Sequence, residues 1–91
     1  MPHSVQHAAD LNKSFVDFVI TDLDAAHTFM DVADATRIVE TKERNHCNAR
    51  KAYDAVTRFL QNASPDAAQQ AEIDRKLETL RNRLIAVGQK F

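Results

Sequence analysis

The chain has 91 residues, which is the size of one small domain and too short for two independently folding domains. With 44% hydrophobic and 27% charged residues it has a globular rather than a disordered composition, and one glycine with two prolines cannot supply the turns of a β-sandwich, a barrel or a phosphate-binding loop. The formal net charge of -1 gives no overall positive field, so we expect neither nucleic acid nor a membrane as a partner. Composition therefore predicts a small all-α domain.

The single cysteine, Cys47, excludes an internal disulfide, and no basic and apolar leader stands at the start of the chain. The apolar runs are only a few residues long, whereas a membrane span needs roughly 20. These features predict a cytoplasmic protein.

Hydrophobic periodicity predicts two helices in the first half of the chain. The first, at 6–20, rests on apolar residues that recur every three or four positions, namely Ala8, Leu11, Phe15 and Phe18. The second spans 22–40 and starts at a capping box in which Thr21 or Asp22 is the cap. Its inward face is predicted to hold Leu23, Ala26, Phe29, Met30 and Ala33.

Two more helices are predicted after a polar loop at 40–45. The helix at 45–62 gathers its apolar residues on one face, namely Ala49, Ala52, Tyr53, Val56, Phe59, Leu60 and Ala63. The last helix, at 65–87, begins after Ser64 as cap with Pro65 in the first helical position, and Gly88 suits a left-handed residue at its end. It carries a seam with coiled-coil spacing, predicted as core or as a homodimer interface, formed by Ile73, Leu77, Leu80, Leu84, Val87 and Phe91.

These elements predict one helical domain over 1–91, folded as an antiparallel bundle of three to four helices. The helix at 22–40 has a second apolar side, with Ala25, Val32 and Val39. We expect the N-terminal segment 1–20 to dock there, which favours a monomer. If it packs loosely, the same surface is open to a partner's amphipathic helix or to a second copy.

The order of helices resembles that of the tetratricopeptide repeat, with Ala49 and Tyr53 at the small and aromatic positions of its second helix and Val56 at a third. Residues 22–87 also look like small bacterial tetratricopeptide-like proteins of uncharacterised function, and their layout resembles the three-helix microtubule-interacting-and-trafficking domain. The resemblance implies a helical hairpin followed by a C-terminal helix. It also implies a non-enzymatic module whose partner is another protein.

His27 is the first residue to test for chemistry, because Asp24 and Asp31 share its helical face and Asp34 lies just beyond. Such a group could hold a divalent metal or position the imidazole as a base. The pair Ala26-His27 also resembles the histidine-phosphotransfer domain. Histidine phosphotransfer or metal-dependent activity centred on His27 is therefore the alternative function. Because this face is opposite the apolar one, we instead predict a solvent-exposed His27 and assign no catalytic, cofactor-binding or metal-binding residue.

Charge and the cysteine give weaker indications. Residues 10–34 hold six Asp and one Lys, net -5, while 35–91 hold eleven Lys or Arg and seven acids, net +4. Arg44, Lys51 and Arg58 form a stripe at seven-residue spacing, which suits a solvated face, an intramolecular complement or a partner contact. Cys47 lies beside basic residues that favour the thiolate, but it has no catalytic partner, so we predict an ordinary surface thiol.

Overall fold

The computed structural model describes the backbone of residues 2–91 and the side chains of residues 10–91. Over that part of the chain the regular structure is entirely helical. Helix α1 is Pro2–Ala35, α2 is Val39–Phe59, a 3-10 turn follows at Leu60–Asn62, and α3 is Ala67–Ala86. The prediction of an all-α fold is confirmed, with three helices packed together.

The predicted break between helices at 20–22 is wrong, because α1 is continuous through Thr21 and Asp22. The buried positions of α1 keep a three-and-four spacing across that point, and neither glycine nor proline interrupts them; they are Val16, Val19, Leu23, Ala26, Met30 and Ala33. Continuity of the buried stripe outweighs the local capping pattern. The prediction that the N-terminal segment docks back on the helix at 22–40 is therefore wrong.

The inward face of the N-terminal half of α1 also differs from the prediction. Val16 and Val19 are fully buried, whereas Leu11 and Phe18 are 48% and 43% exposed. The predicted residue Ala8 lies outside the described side chains. The apolar series that predicted the helix at 6–20 thus follows the edge of α1 rather than its core.

The link between α1 and α2 lies earlier than predicted. α1 ends at Ala35 rather than at 40, and the Ile38 backbone N–H donates to Thr36 Oγ1 across the connection at 3.2 Å. The predicted loop at 40–45 belongs to α2, which begins at Val39 rather than at 45. This stretch is polar, but Glu, Lys and Arg are good helix formers, and Glu40 in the first turn complements the helix dipole.

Helix α2 packs most extensively on α1. Its buried residues Ala49, Ala52 and Val56 are among those predicted to face inward, and the two alanines let the helices approach closely. Tyr53 and Phe59 are only partly buried at the margins of this contact. α2 and its 3-10 turn together end at Asn62, as the sequence predicted.

Helix α3 is capped by Asp66 rather than by the predicted Ser64. Asp66 Oδ1 accepts from the Gln69 N–H at 2.8 Å, and Gln69 Oε1 accepts from the Asp66 N–H at 2.9 Å. Ser64 is instead held to α1, since its N–H donates to Asn12 Oδ1 at 2.6 Å. At the other end Gly88 has φ +97°, the left-handed geometry that its position predicted.

The helices run up, down and up, so α3 lies parallel to α1 and antiparallel to α2. The bundle measures 56 × 19 × 19 Å. Ile73, Leu80 and Leu84 of the predicted C-terminal seam enter the core beside α1, which confirms that part of the seam. Its end does not enter, because Val87 and Phe91 are 38% and 47% exposed.

Candidate functional site

His27 is half-buried between α1 and α3, so the prediction of a solvent-exposed histidine is wrong. Its Nε2 lies 3.1 Å from the Lys76 carbonyl oxygen, and its Nδ1 lies 3.1 Å from Arg83 Nη1. A carbonyl only accepts and a guanidinium only donates, so these partners assign the proton to Nε2 and leave Nδ1 as acceptor. His27 thus lies at the margin of the contact between α1 and α3, whose position the spacing of α1 alone does not reveal.

Arg83 also binds two of the acidic residues near His27. Arg83 Nη2 lies 2.8 Å from Asp31 Oδ1 and 3.0 Å from Asp34 Oδ2. Arg83 thus bridges two carboxylates and the imidazole. Among the described residues, no group of three or more His, Cys, Asp or Glu residues could hold a metal ion.

A second ion pair joins α1 and α3 one turn from His27. Lys76 Nζ contacts Asp24 Oδ1 and lies 3.3 Å from Glu72 Oε1. The hydrogen bond to Asp24 raises the pKa of Lys76 above its ordinary value, helped by Glu72 and opposed by partial burial. The acidic first third of the chain is therefore partly complemented by basic residues of α3. We call this set of polar contacts, in which Lys76 and Arg83 of α3 bind His27 and acidic residues of α1, the α1–α3 clasp.

An exposed apolar row runs along the opposite flank of α1, and we call it the α1 seam; it consists of Leu11, Phe18, Ala25 and Val32. Residues seven apart lie nearly above one another on a helix. Leu11, Phe18 and Val32 are 48%, 43% and 42% exposed, and Ala25 is half-buried. The sequence predicted Ala25 and Val32 as part of a second apolar side. It placed Leu11 and Phe18 in a separate helix docked there.

Helix α2 forms the other wall of this face. The Phe18 and Phe59 rings lie 4.5 Å apart between centroids, and a shallow open depression of about 360 Å³ continues from Phe59 to Arg58 and Asn62. Asp22 is half-buried one turn after Phe18, and burial raises the pKa of its carboxyl group. The face is therefore mostly apolar and open.

The predicted basic row Arg44, Lys51 and Arg58, which we call the α2 basic stripe, is exposed. It lies away from the flank of α2 that carries Arg50 and Tyr53, which contact the C-terminal residues that follow α3. There Arg50 Nη1 donates to the Lys90 carbonyl at 2.7 Å, and the Tyr53 and Phe91 rings meet at 4.9 Å. Cys47 is a free, exposed thiol, as predicted.

No family model matches the chain, and no curated protein or solved structure matches it either. The resemblance to tetratricopeptide-like and microtubule-interacting-and-trafficking proteins stays a prediction. No helix in the described residues is both long enough and apolar enough to cross a membrane.

Proposed function

We propose that the protein is a non-enzymatic helical interaction module that binds another protein through the α1 seam. The supporting observation is the exposure of Leu11, Phe18 and Val32, each above 40%, in a row along one flank of α1. Exposed apolar side chains are common singly, but a regular row of them is typical of a protein-binding surface.

The dimensions of the seam suit a partner helix. From Leu11 to Val32 the seam covers 21 residues, or about 31 Å of helix, which equals three heptads. An amphipathic helix laid along it would meet one apolar side chain of the seam about every two turns, and three of the four are large. On this interpretation α1 and α2 act as a tetratricopeptide-like hairpin. An exposed free thiol at Cys47 persists best in a reducing compartment, so we place the protein in the cytoplasm.

The alternative function, phosphotransfer or metal-dependent chemistry at His27, gains no support from the geometry. Phosphotransfer needs a ring nitrogen that can reach a phosphoryl group. Both nitrogens of His27 are instead engaged, one by the Lys76 carbonyl and one by Arg83. Asp31 and Asp34, the carboxylates that would assist a metal, bind the Arg83 guanidinium.

Site-specific photo-cross-linking in the native cell tests this function. A photoreactive phenylalanine analogue at position 18 should cross-link one defined protein, and a Val32→Gln change in the same chain should abolish the adduct. The control places the same analogue at Glu78, an exposed residue of α3. Equal adducts from positions 18 and 78, or an adduct indifferent to Val32→Gln, would contradict a specific role of the seam.

A further inference from the structure

We propose that the helix bound at the α1 seam is acidic along its flank toward α2, with carboxylates repeating every seven residues. This inference rests on the proposed function and adds the chemistry of the partner. It follows from the register, the exposure and the lack of internal partners of the α2 basic stripe.

The basic stripe is in register with the seam. Contact between Phe18 and Phe59 sets Arg58 level with Phe18. Because α2 runs antiparallel to α1, seven residues forward on α1 match seven residues back on α2. Lys51 is therefore level with Ala25, and Arg44 is level with Val32. Three of the four residues of the seam are therefore level with a cation of α2, and Leu11 lies beyond the end of that helix.

The three cations of the stripe are also uncommitted. None of the ion pairs among the described side chains involves Arg44, Lys51 or Arg58. Asp54, one turn before Arg58, pairs instead with Arg50 at 3.1 Å. The contrast with α3 is clear, because Lys76 and Arg83 are bound to the acids of α1. The stripe thus places three cations without an ion pair in one row beside the apolar face.

Charge argues against antiparallel pairing with a second copy. Antiparallel pairing of two α1 seams would stack each α2 on the other and bring the two basic stripes together, with like charges along their length. A helix with an apolar face and one acidic flank complements both the α1 seam and the α2 basic stripe.

Three helical peptides with the same apolar face and different flanks test the inference by fluorescence anisotropy. The flank toward α2 carries Glu, Gln or Lys at every seventh position. At low salt the Glu peptide should bind about tenfold tighter than the Gln peptide, since three exposed ion pairs each add a small increment. The Lys peptide should bind more weakly than either, and about 0.5 M salt should remove most of the difference.

Charge-neutral variants separate the stripe from general electrostatics. In Arg44→Gln/Lys51→Gln/Arg58→Gln the Glu and Gln peptides should bind equally. In the control Lys13→Gln/Arg75→Gln, which removes exposed cations elsewhere, the preference for Glu should persist. If wild-type protein binds the Gln peptide as tightly as the Glu peptide, the acidic flank is refuted and docking at the seam stands.

A different result would refute both proposals. If no peptide binds and the free protein is a dimer in sedimentation equilibrium that Phe18→Gln dissociates, the seam is occupied by a second copy. If no peptide binds and the protein is monomeric, the seam is not a helix-docking surface.

Discussion

Replacing His27 by alanine removes the centre of the α1–α3 clasp. The change deletes one hydrogen bond to the Lys76 carbonyl and one to the Arg83 guanidinium, both at 3.1 Å. Each bond contributes about 1 kcal/mol net, and the better helix propensity of alanine returns about 0.5 kcal/mol. The free energy of unfolding should therefore fall by about 1–2 kcal/mol. Arg83 retains Asp31 and Asp34, which limits the loss.

Urea denaturation followed by circular dichroism measures this change in the free energy of unfolding. Thr21→Ala is the matched control, because Thr21 is exposed in the middle of the same helix, and it should alter stability by less than about 0.5 kcal/mol. His27→Gln should recover part of the loss, since its amide can donate to Lys76 and accept from Arg83. A His27→Ala protein as stable as wild type would show that the imidazole is solvated and that the clasp is wrong.

A double-mutant cycle sharpens the same prediction. If His27 and Arg83 interact, the losses from His27→Ala and Arg83→Ala should overlap by about 0.5–1 kcal/mol. Strict additivity of the two losses would contradict the contact between Nδ1 and Nη1.

Leu80→Ala removes a fully buried side chain and should cost about 2–5 kcal/mol in urea denaturation, and a wild-type midpoint would place Leu80 outside the core. The pKa of Lys76 is raised in the fold by Asp24, so its contribution is fully present below the unfolded pKa and is lost as pH rises through the folded one; the melting temperatures of wild type and Lys76→Gln should converge as the pH rises past the ordinary lysine pKa, and a constant gap would contradict the ion pair. Burial raises the pKa of Asp22, so the charged form is penalised at neutral pH and the penalty disappears in acid; Asp22→Asn should raise the melting temperature at pH 7 and lose that advantage near pH 3. Gly88→Ala forces alanine into a left-handed φ of +97° and should cost about 1 kcal/mol by thermal unfolding, whereas no change would mean that this end is frayed.

The sequence predicts the helical class and most of the core, because burial follows periodicity. Leu23, Met30, Val56, Leu80 and Leu84 all lie where a three-and-four spacing places them. Boundaries are predicted less well where two local signals compete. At Thr21 a capping box matches by chance inside a helix whose buried row continues, and only the packed structure shows which signal dominates.

The environment of His27 could not be predicted from spacing, because it depends on which side of α1 receives α3. That choice is made by contacts 49 to 56 residues away along the chain, from Lys76 and Arg83. The complementary charges of the two halves of the chain were the available signal. They indicated an intramolecular pairing without saying that His27 lies inside it.

The α1 seam was half visible in the sequence. Val32 belongs to a recognised second apolar side, but Leu11 and Phe18 were assigned to a separate helix that would cover it. Once α1 is continuous, the same residues join into one row and nothing in the described chain folds over it. One wrong helix boundary thus led to the prediction of a covered surface where the structure has an open one.

The central claim is that the seam serves binding and not folding, and one variant measured in two ways tests it most directly. Leu11→Gln/Val32→Gln should keep the stability of wild type within about 1 kcal/mol, since both side chains are more than 40% exposed, and should weaken binding of the acidic-flank peptide more than about tenfold. The control Ile85→Gln, at a 47% exposed position on α3, should change neither. A folded double variant that binds the peptide as wild type does would contradict the account.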